Sequence, residues 1–126
     1  MKEELVTLET ANILKEKGFV WECERTISCD KIIRRWNRPQ DMSCCTEIDS
    51  ELVEFLCPTL YVAQKWLRET KDLHIGICYS HKLFWYYEIM SVSNHVLVGL
   101  ANRPSIHYNT YEEALEAGIL ECLKLI

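Results

Sequence analysis

The stretch Cys57–Tyr79, CPTLYVAQKWLRETKDLHIGICY, constrains the fold more than any other, because the hydrophobic period changes inside it with almost no room for a loop. Pro58 is tolerated in a first helical turn, where the N–H it lacks has no partner to lose, and Thr59 beside it can cap. Val62, Ala63, Trp66 and Leu67 then recur at i, i+1, i+4 and i+5, while Gln64, Lys65, Arg68, Glu69 and Asp72 take the opposite side. This is the stripe of a helix with one face on a core. After Asp72 the period becomes 2: Ile75, Ile77 and Tyr79 alternate with His74, Gly76 and Cys78. A helix over about 59–71 therefore hands directly to a strand. Trp66 is its largest anchor, worth about 3 kcal/mol or more when buried.

Two further helices follow from periodicity and capping. Over about 8–17, Leu8, Ala11 and Leu14 recur at intervals of three, Thr7 is placed to cap, and Glu9 suits the positive end of the helix dipole. Gly18 can end this helix in a left-handed conformation, with Phe19 making the closing apolar contact. Over 111–125, Tyr111, Ala114, Leu115, Gly118, Ile119, Cys122, Leu123 and Ile126 form a continuous apolar face. Thr110 and Glu113 have the spacing of a capping box. Gly in a helix interior costs about 1 kcal/mol, so Gly118 on the apolar face reads as a point of close approach to a sheet.

The remaining segments read as strands and connections. Leu73–Tyr79, Leu83–Val92 and Val96–Ala101 form a meander, with turns at Ser80–Lys82 and Ser93–His95. The middle strand has bulky groups on both faces: Leu83, Trp85, Tyr87 and Ile89 against Phe84, Tyr86 and Met90. That pattern fits a central strand covered on both sides. Residues 20–36 read as a strand hairpin turning at Cys29–Asp30, and Asn37–Thr46 and Asn102–Asn109 as loops. DSELVEFLC admits either a short helix capped by Asp49 or Ser50, or an extended lead into Pro58. The expectation is a single α+β domain over 1–126. An antiparallel sheet of three to five strands carries the meander 73–101, and the helices cover mainly one face.

Composition bounds function. The 126 residues carry a net charge of −5, so general phosphate binding is disfavoured, although a local basic patch can still act. Seven Cys, an odd number, no secretory signal in MKEELVTLE and no apolar run of membrane-spanning length point to a cytoplasmic, reduced, non-membrane protein. Cys78 and Cys122 read as small core residues, whereas Cys44 and Cys45 lie in a polar stretch.

The segments CPTLYVAQKWLRETKDLHI and NTYEEALEAGILECLKLI, with TLETANILKEKGF, resemble a family of small proteins from gut bacteria, prophages and other mobile elements. The likeness rests on Pro58, Thr59, Gln64–Glu69, His74, Ile75 and Tyr111–Gly118, and covers about half of the chain. The family has no assigned activity. The resemblance therefore implies a mobile-element origin and brings no catalytic residues.

Three constellations bear on chemistry. Cys78-Tyr79-Ser80-His81, with Cys44-Cys45, offers zinc ligands, but paired knuckles are missing, so no metal or other cofactor is expected. Cysteine-based catalysis needs a thiol beside an imidazole; His74, His81, His95 and His107 offer pairings without any local signature, and no catalytic residue is assigned. Lys31, Arg34, Arg35 and Arg38 surround Trp36, a combination able to bind phosphates and stack a base. The competing reading is a strand edge whose charges block pairing. On these grounds the expectation is a non-enzymatic accessory domain that binds a protein partner or itself. Nucleic-acid binding through 31–38 is the first alternative, and a small Cys/His enzyme or zinc protein the second.

Overall fold

A computed structural model of the chain describes residues 4–41, 47–48, 51–80, 84–100 and 108–126. It divides into two compact units, Met1–Thr59 and Leu60–Ile126. Both combine helix with antiparallel sheet, so the α+β class holds.

The first unit contains α1 (Leu8–Glu16), β1 (Cys23–Ser28), β2 (Ile33–Gln40), β3 (Glu47–Ile48), β4 (Glu51–Leu52) and β5 (Glu54–Leu56). α1 starts at the expected cap: the Thr7 hydroxyl accepts from Thr10 N–H at 3.4 Å. It ends on Gly18 at φ +95°. There Phe19 N–H donates to Leu14 O (2.9 Å) and Gly18 N–H to Lys15 O (3.2 Å), which satisfies the last carbonyls in a Schellman arrangement. Phe19 and Leu14 are both buried, as that closing contact requires. α1 packs against β5 and β1, and Ala11, Leu14, Ile27, Phe55 and Leu56 belong to the buried interior.

The hairpin expected over 20–36 is present as β1 and β2, paired Ile27↔Ile33, Thr26↔Arg34 and Arg25↔Arg35. Asn37–Gln40 was expected in a loop and instead continues β2. Pro39 is compatible with that, because β2 is a terminal strand in the order β2-β1-β5 and an outward-facing position needs no N–H. Within DSELVEFLC the extended alternative holds for Glu51–Leu52 and Glu54–Leu56. Asp49, Ser50 and the Cys44–Cys45 pair lie outside the described residues. Pro58 is not helical: its carbonyl accepts from Val6 N–H at 3.1 Å, and Thr59 bridges Leu5.

The second unit contains α2 (Leu60–Thr70), β6 (Leu73–Ser80), β7 (Phe84–Ser91), β8 (Leu97–Leu100) and α3 (Tyr111–Leu125). The meander is as expected, in the order β6-β7-β8. Ile75↔Ile89, Ile77↔Tyr87 and Tyr79↔Trp85 pair across β6 and β7 and share one face of the sheet. α3 lies against β6 and β7, and α2 against β6 and α3. Trp66 is 3% exposed, and Ile75, Ile89 and Ile119 are fully buried. Gly118 is the point of closest approach: a Cβ there would sit 2.8 Å from Ile75 Cγ2 and 3.3 Å from Tyr87 Cγ. Only glycine lets the helix sit this near the sheet.

Four details differ from the sequence reading. Gln64 is buried rather than solvated, and its side chain donates to Ile75 O at 2.8 Å, tying α2 to β6. Tyr79 shares a face with Ile75 but is 53% exposed, at the end of the strand. Cys78 is half-buried rather than a core thiol. Glu113 does reach back across the first turn of α3, but to Asn109 N–H (3.1 Å), while its own N–H donates to the Thr110 hydroxyl (3.1 Å). The turn residues His81 and Lys82, and most of the 102–109 connection, lie outside the described residues. No helix among the described residues is long and apolar enough to cross a membrane.

Candidate functional site

β2 carries every residue of the basic–aromatic stretch except Lys31, which sits in the preceding turn at φ 64°. Because β2 ends its sheet, most of its side chains are exposed. The structure separates these residues into two groups.

Arg34 and Trp36 are brought together. They are two apart, so they share a face of the strand, and the guanidinium carbon lies 4.3 Å from the centre of the indole ring. Arg34 Nη1 contacts both Glu54 carboxylate oxygens, at 3.3 and 3.2 Å. Glu54 Oε1 also accepts from the Thr26 hydroxyl at 2.7 Å, and that hydroxyl accepts from Trp36 Nε1 at 3.2 Å. Thr26 is fully buried and the Glu54 side chain is 6% exposed, so neither could remain unpaired without a desolvation cost of about 1–3 kcal/mol. The network spans three strands: Thr26 from β1, Arg34 and Trp36 from β2, Glu54 from β5. It fixes the Arg34 guanidinium between a carboxylate and a ring while leaving the side chain 50% exposed.

Lys31, Arg35 and Arg38 are not part of this network. All three are exposed, and none forms an ion pair among the described residues. Arg35 is on the opposite face from Arg34, across the ladder from Arg25. Ile32 and Ile33 beside them are 62% and 48% exposed.

Sequence reasoning found the cations and Trp36 but missed Thr26 and Glu54. The available signal was polarity inside two buried-strand patterns, since Thr26 precedes Ile27 and Glu54 precedes Phe55-Leu56. A polar group at such a position needs a partner.

The other constellations come apart. Among the described residues, no three His, Cys, Asp or Glu side chains are placed to hold a metal ion. His81 and His107 lie outside them. Among the described residues neither His74 nor His95 hydrogen-bonds a cysteine, and His74 Nδ1 is buried without a partner. Burial pushes the Cys122 thiol up to about 12, which keeps it protonated and unreactive. The Tyr86 hydroxyl is held above its ordinary range by Cys78, its partner across β6 and β7.

No protein-family model, curated protein or solved structure matches this chain.

Proposed function

We propose that the chain is a non-enzymatic protein-interaction domain, a cytoplasmic accessory of phage or mobile-element origin, and that β2 is its contact surface. The observation that carries the reading is an eight-residue strand that, among the described residues, ends its sheet, with three exposed cations free of ion pairs there and two exposed isoleucines in and beside it. An edge of this kind offers unpaired main-chain groups as well as side chains, which is what strand-adding protein partners use.

Nucleic-acid binding is the second reading, favoured by the same cations. One feature of the network counts against it: Arg34 covers one face of Trp36, the platform a base would stack on.

The test uses immobilised full-length chain and a double variant, Arg35→Glu with Arg38→Glu. A protein retained from host extract by the parent chain and lost with the variant, then bound again as a purified partner, supports the reading. Equal retention by both, or turnover of a metabolite by the pure chain, defeats it.

A further inference from the structure

The chemistry of β2 selects one class of partner. We propose that β2 takes an extended acidic segment of another protein, paired as an added strand along its open edge, with the Arg34 guanidinium receiving a carboxylate. This rests on the protein-interaction reading above and names the partner's chemistry.

Charge makes the first selection. Lys31–Gln40 carries four cations and no acid, in a chain whose net charge is −5. A second copy offering its own β2 would bring three more cations to the same place, so this edge disfavours self-pairing. An uncharged strand gains main-chain hydrogen bonds but leaves the cations unmatched. An acidic strand gains both.

The placement of the cations makes the second selection. An added strand presents alternate side chains to the two faces of the sheet. On one face it meets Arg34, and on the other Ile33 and Arg35. Carboxylates on both faces would therefore find a guanidinium, with apolar residues between them against Ile33. Pairing of β1 with β2 is regular from Ile33 to Arg35 and shifts between Arg25 and Cys23, so the straight part of the edge lies at the Ile33 end.

Arg34 makes the third. Among the described residues its hydrogen bonds all run through Nη1 to Glu54, with no partner at Nη2 or Nε, and the side chain is half exposed. The stack on Trp36 and the contact with Glu54 hold the fork still before any ligand arrives. A guanidinium already fixed loses little rotamer freedom when a carboxylate docks on its open side. A polyanion without a peptide backbone could meet the cations but could not satisfy the main-chain edge.

The experiment is fluorescence anisotropy on the full chain with labelled peptides one strand long. One repeats Glu-Glu-Val-Val, which puts glutamates on both faces of the added strand, one repeats Gln-Gln-Val-Val, and a single-stranded oligonucleotide is the third probe. Hydrogen exchange of the β2 amides is read in parallel. Binding of the glutamate peptide about tenfold or more tighter than the glutamine peptide supports the proposal. It also requires weakening by salt, weakening by Arg35→Glu, and slowed exchange at 33–36. Equal binding of the two peptides with slowed β2 exchange overturns the acidic partner and leaves the protein-interaction reading standing. Oligonucleotide binding with unchanged β2 amides overturns the proposal in favour of simple anion binding. Failure of every probe to alter β2 overturns the acidic-strand proposal, while the retention experiment above decides the protein-interaction reading separately.

Discussion

β2 and β8 each end a three-stranded antiparallel sheet, yet they are protected in different ways. β2 is eight residues long, carries three arginines and a proline, and follows a lysine. β8 has four residues and an irregular register against β7, and its surroundings from Ile89 to Asn102 carry no Asp, Glu, Lys or Arg. Val96, Leu97 and Val98 are nonetheless exposed there. Brevity and a bulge hinder any added strand, whatever its chemistry, whereas charge hinders only strands of like or no charge. A charged edge is thus both a barrier to self-association and a filter for a partner. The sheets behind the two edges differ in the same sense. The β2 sheet is tied across three strands by Thr26, Arg34, Trp36 and Glu54, and the β8 sheet is backed by a helix pressed against it at Gly118.

The largest effect should come from the close packing. Gly118→Leu would drive a branched side chain into Ile75 and Tyr87, already 2.8 and 3.3 Å from a Cβ. Overpacking in such a place costs about 3 kcal/mol. Urea unfolding followed through the β6 and β7 amides should show that loss, with β1 and β2 amides affected least. A neutral outcome would mean that α3 is not seated as closely as Gly118 allows.

A smaller loss should follow from removing the buried carboxylate. Glu54→Leu leaves the Thr26 hydroxyl without its acceptor and Arg34 without its counter-charge. Because Arg34 is half in water, the cost is nearer about 2 kcal/mol than the larger values of fully buried pairs. Glu54→Gln keeps an acceptor for Thr26 and should cost about 1 kcal/mol. Indole fluorescence of the parent and both variants during urea unfolding gives the order. If Glu54→Leu proves as stable as the parent, the network is dispensable and the contrast between the two sheets fails.

Below these comes the helix cap. Thr110→Ala removes the acceptor for Glu113 N–H and should cost about 1 kcal/mol, read as faster amide exchange in the first turn of α3.

The contrast also explains what the sequence could disclose. α1, α2 and α3 announce themselves through their apolar period, joined in α1 by the Thr7 cap and the terminating Gly18 and in α3 by the Thr110 cap. The meander is legible because the 2-residue alternation of β6 is followed, after one short connection, by the apolar and aromatic run of β7. β2 is partly hidden, since RRWNRPQ has no alternation and a proline, and an edge strand needs neither pattern nor apolar content. The polar network is hidden for another reason. Thr26, Arg34 and Glu54 are 8 and 20 residues apart, and only the register of β1 against β2 and β5 brings them together. Gln64 is of the same kind, a polar residue whose partner is a carbonyl on the next element.

The smallest effect separates an exposed carboxylate from the buried one. Asp72, at φ 60° between α2 and β6, accepts from Ser93 Oγ at 2.6 Å, Ser91 Oγ at 2.9 Å and Ser93 N–H at 2.9 Å. The Ser93 hydroxyl first, then Ser91, hold its carboxyl below the usual carboxylate range. A folded-state value lowered in this way adds stability that is present above the unfolded carboxylate's range and lost as pH falls from there through the lowered folded-state value. Acidification should therefore loosen the Asp72–Ser93 tie, and the β7–β8 turn should exchange faster before the sheet core does. Asn tolerates the left-handed conformation, so Asp72→Asn removes the charge without backbone strain. The variant should show a flatter dependence of turn exchange on pH, with β2 exchange unchanged. An unaltered pH dependence would show that the serines hold this turn without the charge. The two carboxylates would then differ in kind, Glu54 acting as the partner of Arg34 and Thr26 and Asp72 through its shape.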